Sequence, residues 1–523
     1  MGKSHEASYM IGVDMGTTST KAVLFQEDGT IIAEASQGYP LHTEGAIKAE
    51  QDPDLIVEAV VYSIQQVMTS SKTTADKIQF VSFSSAMHSV IAMDHSGNRL
   101  TPALTWADNR SAAYAKQLRK DTTGHELYTR TGTPIHPMSP LTKIMWFTRE
   151  QQDLMPQIHK FISIKEYVFY QFFGVYIVDH SIASATGLLR MDTLDWDEEA
   201  LRVAGISADH LSELVPTTHV IQDLHPSYAE QMHLAPSTPF VVGASDGVLS
   251  NLGVGAIDPG VVAITIGTSG AIRTVVDRPI ADPKGRYFCY ALTEQKWVIG
   301  GPVNNGGVIF RWIRDELASS EVETAKRLGV NPYEVLADIA EKVPAGSDGL
   351  LFHPYMMGER APLWNPDARG SFFGLTLQHK KEHMVRAALE GVLFNLYTVM
   401  LAIEEQIGTP KTIHATGGFA RTELWRQMMA NIFDQKVIFP DSIESSCLGA
   451  VILGMYATGN IDSLDVAKDM IGSTYHHDPE AEAVSVYREL LPIFIRISRK
   501  FEEEYAAITA FQIKMEERLP KNI

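Results

Sequence analysis

Two distant stretches of the chain share one pattern. Residues 9–25 read YMIGVDMGTTSTKAVLF, and residues 261–276 read VVAITIGTSGAIRTVV. In each, a β-rich run meets a turn of glycine and hydroxyl residues and returns as a second β-rich run, whereas an ordinary two-residue hairpin favours Asn-Gly or Asp-Gly. Because the pattern occurs once in each half, it predicts a duplicated fold unit with a boundary near residues 253–259, whose two copies face each other across a cleft.

The length of the chain indicates more than one domain. A chain of 523 residues exceeds what one hydrophobic core usually organises. We predict one domain over residues 1–254, a second over residues 255–485 and a charged helical tail over residues 486–523.

Strand-like and helix-like segments alternate along the chain, which predicts an α/β fold. Residues 78–87 (IQFVSFSSAM) and 238–245 (TPFVVGAS) have the composition of strands that end in small or polar residues. Two apolar stripes at helical spacing predict helices. The first consists of Leu389, Val392, Leu393, Leu396, Met400 and Ile403, and the second of Trp425, Met428, Met429, Ile432 and Phe433.

Charge and cysteine content exclude several classes of protein. The chain has 44 basic and 63 acidic residues, a net charge of −19, which argues against a nucleic-acid or anionic-membrane partner. We find no cationic leader and no long apolar run, so we expect no secretory signal and no membrane span. Cys289 and Cys447 form no CxxC pair, which favours a reduced cytoplasm. A small anionic ligand would need only a local cationic pocket.

The first turn has the residue types that bind a nucleotide phosphate. Asp14 ends the first strand, where a carboxylate is suited to hold hydrated Mg²⁺. Gly16 lets the backbone approach a ligand, and Thr17 and Thr18 add hydroxyls to the backbone N–H groups of the turn. The first turn is therefore a candidate phosphate and metal site.

Two further motifs extend this candidate nucleotide site. Gly267, Thr268 and Ser269 form the second turn, which is suited to hold the other phosphates. Gly417 and Gly418 lie between a strand and a helix, where backbone N–H groups favour a phosphate or ribose. Each motif alone marks an ordinary tight turn in many proteins, but three in this order after β-rich runs are informative. The sequence has no GxxxxGK[ST] loop and no H-R-D kinase signature.

These motifs in this order resemble the ATPase core shared by actin, heat-shock chaperones and sugar kinases. Within that superfamily the chain resembles the FGGY carbohydrate kinases over about residues 9–500. Residues 138–150 (MSPLTKIMWFTRE) fit the family's first signature and residues 370–390 (GSFFGLTLQHKKEHMVRAALE) its second. It is most similar to the gluconate kinases of the family, through SSAMHS, TWADNRS, TGTPIHPMSPLTK and GERAPLWNPDARGSFFGL.

The resemblance implies two ribonuclease H-like domains of the actin/hexokinase ATPase type, the first mainly binding sugar and the second mainly nucleotide. It implies a cytoplasmic enzyme that uses ATP and Mg²⁺ to phosphorylate gluconate. A homodimer is the candidate assembly. Two alternatives stay open. One is a kinase for a related ketose or polyol such as xylulose, and the other is a non-enzymatic, ATP-gated scaffold on the same core.

The resemblance assigns the general base to Asp246 in the segment GASDG. A carboxylate at the end of a strand is suited to accept the proton of a hydroxyl group as the new P–O bond forms. We also count Asp246 with Asp14 among the candidate Mg²⁺ ligands. The alternative is that Asp246 only caps the helix that follows.

The resemblance also assigns a sugar pocket. Met87 and His88 follow a predicted strand, and Trp106 and Asp108 match the family's Trp-x-Asp. Arg110 is suited to bind a substrate carboxylate, although Asp108 and nearby acids are alternative partners. His88 and Trp106 are alternatively structural.

Other residues keep two interpretations. Gly449 and Ala450 either line the adenine site, as the resemblance implies, or serve helix packing. Lys143 either contacts the ligand or cross-links the first domain. Glu359 and Arg360 are expected to form an ion pair that holds a loop, and Asn304 and Asn305 are either ligand donors or parts of a turn.

Overall fold

The computed structural model describes residues 8–45, 47–440, 444–472 and 474–516. The chain divides into two compact units. Unit 1 takes its residues from Met1–Asp258, Val275–Ile299 and Glu444–Gly472, and unit 2 from Pro259–Thr274, Gly300–Ile443 and Ser473–Ile523.

The two units interleave along the chain, whereas the predicted domains were continuous segments. Residues 444–472 return to unit 1 because their helix packs on the first strands of that unit, where glycines allow a close approach. A Cβ atom at Gly12 would collide with the backbone carbonyl of Cys447, and one at Gly449 would collide with that of Leu249. The tail from residue 474 belongs to unit 2 rather than forming a domain of its own.

The strands, in chain order, are β1 Tyr9–Met15, β2 Ser19–Phe25, β3 Ile31–Gly38, β4 His42–Glu44, β5 Lys48–Gln51, β6 Ile78–Ser85, β7 Ile91–Met93, β8 Ala103–Leu104, β9 Lys160–Ile162, β10 Ile177–Asp179, β11 Glu213–Val215, β12 Val220–Ile221, β13 Phe240–Ser245, β14 Val261–Ile266, β15 Gly270–Val276, β16 Phe288–Ala291, β17 Trp297–Val303, β18 Leu351–His353, β19 Ser371–Phe373, β20 Thr412–Thr416, β21 Val437–Pro440 and β22 Thr474–His477.

The α-helices are α1 Pro53–Ser71, α2 Ala112–Lys120, α3 Thr122–Thr131, α4 Pro140–Glu150, α5 Ile164–Phe173, α6 His180–Ser184, α7 Glu198–Ala204, α8 Pro226–Met232, α9 Asp246–Gly253, α10 Gly307–Trp312, α11 Ser319–Leu328, α12 Pro332–Glu341, α13 Lys381–Ile407, α14 Glu423–Phe433, α15 Ser445–Ala457, α16 Ala467–Met470, α17 Ala481–Lys500 and α18 Glu502–Glu516. Strands and helices alternate, which confirms the predicted α/β class.

A six-stranded sheet in the order β12-β13-β6-β1-β2-β3 forms the centre of unit 1. The strands β1, β2 and β3 are antiparallel neighbours, whereas β6 runs parallel to both β1 and β13. Met10, Ile11 and Val13 of β1 are fully buried, because helices cover both faces of the sheet. The carboxyl ends of β1, β6 and β13 therefore meet at one edge, where open α/β sheets place their sites.

The sheet of unit 2 repeats this strand order. Strand β15 is antiparallel to β14, β14 and β20 are parallel, and β20 and β21 are parallel. Strand β22 closes the edge antiparallel to β21. The first strand of each unit thus pairs with an antiparallel hairpin partner on one side and a parallel strand on the other, as expected for a duplicated unit.

Helices α13 and α14 of unit 2 confirm the two helices that the apolar stripes predict. Every stripe residue predicted for them is buried. By length and composition α13 would also suit a membrane span, but 78% of its most apolar window is buried inside the protein. Within this helix Arg386 Nε donates to Glu390 Oε1 at 2.9 Å, and Glu390 also accepts from the Tyr487 hydroxyl at 2.8 Å. Helices α17 and α18 make the tail helical as far as Glu516.

His353 on β18 gives unit 2 a pH-dependent element. The side chain is fully buried, its Nε2 lies 3.0 Å from the Phe494 carbonyl of α17, and its ring stacks on Phe494 with centroids 4.3 Å apart. Burial lowers the pKa of His353 from 6.5 to about 4. Between pH 6.5 and about pH 4, His353 is protonated in the unfolded chain but neutral in the folded chain. The free energy of unfolding therefore falls as the pH drops through this range.

The variant His353→Gln keeps a donor for the Phe494 carbonyl but does not titrate. We expect it to reduce the loss of folding stability at low pH. Urea unfolding between pH 7 and 4 should show the native chain losing about 3 kcal/mol more than the variant. His125→Gln, at an exposed position on α3, serves as the control and should keep the native slope. Equal slopes for native chain and His353→Gln would contradict the assignment.

Candidate active site

The carboxylates of Asp14 and Asp246 lie at the same edge of the unit 1 sheet. Asp14 pairs with Ser84 of β6, and Ser245, just before Asp246, pairs with Ser85 of β6. Strands are about 4.8 Å apart, so β1 and β13, with β6 between them, have backbones roughly 10 Å apart. Both side chains are partly buried. The structure thus brings these two predicted residues together.

The surroundings of Asp14 suit a cation. The Ser84 hydroxyl donates to Asp14 Oδ1 at 2.6 Å. Burial, and next the negative charge of Asp246, raise the pKa of Asp14 to about 7. Two carboxylates that repel each other, beside a hydroxyl, form an oxygen donor set that Mg²⁺ would satisfy while keeping several waters. The residues therefore fit the predicted ion.

An ion pair beside Asp14 escaped the sequence interpretation. Lys21 is the cross-strand neighbour of Asp14 on β2, and its Nζ lies 2.7 Å from Glu444 Oε1 and 3.8 Å from Glu34 Oε2. Hydrogen bonding and the charge of Glu444 raise the pKa of Lys21 against the opposing effect of burial. Hairpin register alone would have placed Lys21 beside Asp14, but no local pattern points to Glu444.

Side chains from neighbouring segments fix the first turn. Gly16 N donates to Ser19 O at 3.0 Å. The Tyr39 hydroxyl donates to Gly16 O at 2.6 Å, and Gln51 Nε2 donates to Thr17 O at 2.6 Å. With these carbonyls occupied, the turn is held rigid while Thr18 stays exposed.

Trp106 joins the predicted sugar motif to this turn. Its Nε1 donates to Thr17 Oγ1 at 3.0 Å. The strand before it, β8, pairs with β5, which also carries Gln51. Trp106 is partly exposed, so the structure gives it a positioning contact and leaves its role in sugar binding a prediction.

Asp246 is the first residue of α9, and Ser245 is the residue in the N-cap position. Gly247 N donates to Asp246 Oδ1 at 2.6 Å. The side chain of Asp246 thus accepts from a backbone N–H group of the first helical turn, as the capping alternative predicts, although Ser245 and not Asp246 is the N-cap residue. The role of general base stays a prediction.

His88 has a backbone conformation that is unusual for its residue type. Its φ is 73°, in the left-handed region that non-glycine residues seldom adopt. Its Nδ1 lies 2.8 Å from the Ala185 carbonyl, and because a carbonyl only accepts, Nδ1 carries the proton. Strained residues cluster at functional sites. Met87, beside it, is partly buried against apolar neighbours.

Arg110 is engaged by two carboxylates of the protein. Its Nε donates to Asp108 Oδ1 at 3.0 Å, and its Nη2 to Asp108 Oδ2 at 2.8 Å and Glu50 Oε1 at 2.7 Å. Asp108 is fully buried and also accepts from Ala49 N at 3.0 Å. The guanidinium lies over Trp146, 5.0 Å from the ring centroid. The alternative in which nearby acids pair with Arg110 is therefore observed.

Lys143 lies inside the unit rather than at a surface. It is 1% exposed, and its Nζ donates to the carbonyls of Pro137 at 3.0 Å and Met138 at 2.5 Å. Burial lowers the pKa of Lys143 to about 7. These contacts match the interpretation that Lys143 cross-links the first domain.

In unit 2 the backbone N–H groups of residues 306–308 donate hydrogen bonds to the second Gly-Thr turn. Gly307 N donates to Gly267 O at 2.7 Å, and Val308 N donates to Thr268 O at 3.1 Å. Gly267 and Thr268 are exposed, and Ser269 is partly exposed. The turn therefore presents its outer surface to solvent with its carbonyls already paired.

Gly417 and Gly418 lie next to this turn because β14 and β20 are parallel, with Thr265 opposite Thr416. Gly417 has a φ of 112°, and a Cβ there would collide with the Ile266 carbonyl. Gly418 begins a short 3₁₀ turn with open space at its Cβ position. The structure thus brings together both predicted phosphate-binding elements of unit 2.

Glu359 has a structural role. Fully buried, it accepts from Asn304 N at 2.5 Å, Asn305 Nδ2 at 3.0 Å and Asn395 Nδ2 at 2.8 Å. Burial raises the pKa of Glu359. Asn304 and Asn305 are thus parts of a hydrogen-bonded turn, the second of their predicted roles.

Gly449 and Ala450 lie on α15, with no exposed surface at Ala450. Gly449 approaches the backbone of α9 at Leu249. Helix packing accounts for both residues, and α15 belongs to unit 1 rather than to the unit with the second turn. Their contact with adenine stays a prediction.

Comparison with known proteins places both units. Residues 9–253 match the N-terminal domain of the FGGY family of carbohydrate kinases, and residues 262–458 match its C-terminal domain. The chain is 60% identical over 506 residues to a gluconokinase of Bacillus subtilis (strain 168), which covers 97% of this chain and 98% of the relative.

Two solved structures from Lactobacillus acidophilus are also similar. A gluconate kinase gives a TM-score of 0.91 at 36% identity, covering 96% of this chain and 100% of that chain. A ligand-bound xylulose kinase gives the same values, a TM-score of 0.91 at 36% identity with 96% and 100% coverage.

We expect Gly417→Ala to destabilise unit 2, because the new methyl group meets a backbone carbonyl and the φ of 112° disfavours any side chain. The cost should be about 2 kcal/mol or more. Gly418→Ala is the matched control, with open space at the same turn, and should change stability by roughly 0.5 kcal/mol or less. Thermal unfolding of both variants checks this, and equal midpoints would contradict it.

Proposed function

The chain belongs to the FGGY family of carbohydrate kinases, and we propose that it transfers the γ-phosphoryl group of ATP to the terminal hydroxyl group of gluconate, producing 6-phosphogluconate. The similarity to a gluconokinase along almost the whole chain carries this proposal. We further propose that it acts in the cytoplasm as a homodimer. A kinase for xylulose or another uncharged polyol is the alternative within the family.

Asp246 is the general base of the proposed reaction. It accepts the proton of the attacking hydroxyl group as the oxygen approaches the γ-phosphorus, because an unaided sugar hydroxyl is a weak nucleophile. Its position beside Asp14, at the carboxyl end of a parallel strand, supports this role. A non-enzymatic scaffold would have no need of a base at this point.

Asp14 and Asp246 are the residues that would hold Mg²⁺, with Ser84 fixing Asp14 through its 2.6 Å hydrogen bond. The bound ion would neutralise phosphate charge during transfer. Lys21, beside Asp14 and paired with Glu444, adds a positive charge at the same edge.

Within each unit the glycine-rich turns are the proposed phosphate-binding elements, through their hydroxyls and those backbone N–H groups that make no internal hydrogen bond. The candidates are Gly16, Thr17 and Thr18 in unit 1, and residues 267–269 with 417–418 in unit 2. In phosphoryl transfer such positioning is most of catalysis, since the transition state needs alignment and charge stabilisation rather than covalent chemistry.

Met87, His88, Trp106, Asp108 and Arg110 form the proposed sugar pocket. Because Arg110 is paired with Asp108 and Glu50, and Asp108 is fully buried, the role of this cluster is to hold the segment that carries Trp106 in place. Arg110 is then a positioning residue and contributes little to the choice between charged and uncharged sugars.

We expect Asp246→Asn to keep nucleotide affinity and lower turnover by about 10²-fold or more, because the amide has the shape of the carboxylate but cannot accept the proton. A coupled ADP assay measures turnover and calorimetry measures nucleotide binding. Asp209→Asn, at an exposed site of unit 1, is the control. Near-normal turnover of Asp246→Asn would return Asp246 to a helix-start role.

We expect gluconate to be preferred over xylulose, ribulose and glycerol at saturating ATP, by roughly 10³-fold in kcat/KM. A pocket built for a carboxylate leaves its donors unpaired when an uncharged sugar binds. Arg110→Gln should lower kcat/KM for all acceptors by similar factors. If xylulose were the best acceptor, the gluconate assignment would be wrong and the kinase assignment would stand.

A further inference from the structure

A buried lysine of unit 1 contacts the strand that leads to Asp246. Lys165, on α5, is 2% exposed, and its Nζ donates to the Val242 carbonyl at 3.1 Å and to the Ala244 carbonyl at 3.3 Å. The same Nζ lies 2.7 Å from Asp179 Oδ2. Buried ion pairs contribute little to folding stability because desolvation offsets their attraction, so this pair calls for another role.

The two carbonyls belong to a β-bulge in β13. Val241 pairs with Ser82 of β6 and Ala244 pairs with Ser84, so β13 has one extra residue between these two pairs. Gly243, inside the bulge, has a φ of 72°. A bulge bends its strand and changes the direction of the side chains that follow it. The shape of this bulge therefore sets where the residue after β13 points.

The backbone groups of the bulge have partners on two sides. Val242 N donates to the His219 carbonyl at 3.0 Å, and Gly243 N donates to the Thr217 carbonyl at 3.1 Å. These N–H groups thus contact the segment just before β12, whereas the carbonyls of the bulge accept from the Lys165 ammonium group. Lys165 is therefore the group that fixes the carbonyl side of the bulge.

Asp179 connects the same lysine to the short helix α6. It is fully buried at the end of β10, and its Oδ1 caps α6 by accepting from Ile182 N at 3.0 Å. Within α6 the Ser181 hydroxyl accepts from Ser245 N and donates to Ser245 Oγ, both at 3.1 Å. Because Ser245 directly precedes Asp246, α6 fixes the backbone at the start of α9.

The other end of α6 contacts the proposed sugar pocket. Ala185 is the C-cap residue of α6, and its carbonyl lies 2.8 Å from His88 Nδ1. One short helix, capped by Asp179, therefore contacts both Ser245 and His88. A general base must lie within hydrogen-bond reach of the hydroxyl group from which it accepts a proton. The distance between these two contacts therefore matters for the reaction.

We propose that Lys165, Asp179 and Ser181 are positioning residues for phosphoryl transfer, a role that rests on the proposed function. Together they hold the general base Asp246 at a fixed place relative to His88. Lys165 does so through the bulge, and Ser181 through the residue before the base. None of the three touches the substrate in this role, because displacing the base by about 1 Å is enough to lower turnover about 10²-fold.

Two serines of α6 give a matched test. Ser181→Ala removes the group that accepts from Ser245 N, whereas Ser184→Ala removes a group that accepts from Ala291 N at 3.0 Å. Both serines are fully buried, and each change leaves one backbone N–H group unpaired, so both should lower the thermal midpoint by similar amounts. We expect kcat to fall roughly 10-fold or more in Ser181→Ala only, with the KM for ATP unchanged in both. Equal kcat values would overturn the proposal.

The ion pair is tested with variants that leave no unpaired charge. Asp179→Asn keeps a cap for α6 and removes the negative charge, so the buried Lys165 loses its proton, but its neutral amine still donates to both carbonyls. Lys165→Met combined with Asp179→Asn removes the amine as well, and this double variant should fold because no lone charge stays buried. We expect turnover near native for Asp179→Asn and roughly 10²-fold lower for the double variant. Equal turnover would contradict the role of Lys165.

A control pair of unit 1 separates this effect from the general loss of a buried charge pair. Asp197 is 3% exposed, its Oδ2 lies 2.7 Å from Arg130 Nε, and it caps α7. Arg130→Met combined with Asp197→Asn should therefore keep native turnover in the same assay. A loss as large as that of the Lys165 double variant would show that any such pair affects turnover, and the positioning role would be wrong.

A double-mutant cycle with Asp246→Asn tests whether Lys165 acts through the base. Added to Asp246→Asn, the changes Lys165→Met and Asp179→Asn should lower turnover little further, because groups that act as a unit are not additive. A full further loss would overturn the proposal. Every assay uses the best acceptor of the native chain, so failure of the gluconate assignment leaves the result intact. Native turnover of Asp246→Asn would remove the base assignment and this proposal together, whereas native turnover of the Lys165 double variant would remove only this proposal.

Discussion

The parallel pairing of β6 with β1 on one side and β13 on the other decides what unit 1 can do. It brings the carboxyl ends of three strands to one edge, so Asp14, Ser84 and Asp246 share a small volume although long stretches of sequence separate them. The raised pKa of Asp14 reflects this arrangement, since burial and a second carboxylate both oppose its charge. A divalent cation or a proton offsets both effects, which is why the same geometry suits metal-assisted phosphoryl transfer.

In unit 2 the corresponding strand ends carry glycine-rich turns instead of carboxylates. Its parallel pair β14 and β20 brings two glycine-containing turns together, and carbonyls that face inward are already paired. The two units therefore share one strand order but carry different groups at the strand ends, and this agrees with the two-domain carbohydrate kinase fold of the actin/hexokinase ATPase type to which the chain belongs.

Much of this was predictable because it is local. The strands that end next to Asp14 and at Ser245, the apolar stripes of α13 and α14, and the glycine turns follow from periodicity and residue type. Contacts between distant segments were not predictable in the same way. Lys21 and Glu444 form an ion pair from opposite ends of the sequence, and no pattern near either residue announces the other. The contact of Arg110 with Glu50 depends on the pairing of β5 with β8, which the sequence does not show. For this reason the sequence alone left Arg110 as a candidate to bind the substrate carboxylate.

The interleaved course of the chain has a consequence for biosynthesis. Unit 1 needs α15, whose close approach to Gly12 completes the cover of β1, yet α15 begins at Ser445. At about 5–20 residues per second on the ribosome, it emerges roughly 10–40 s after the last residue of the first unit 1 segment. During that interval the nascent sheet exposes the apolar surface that α15 will cover, so the emerging chain is a natural client for chaperones.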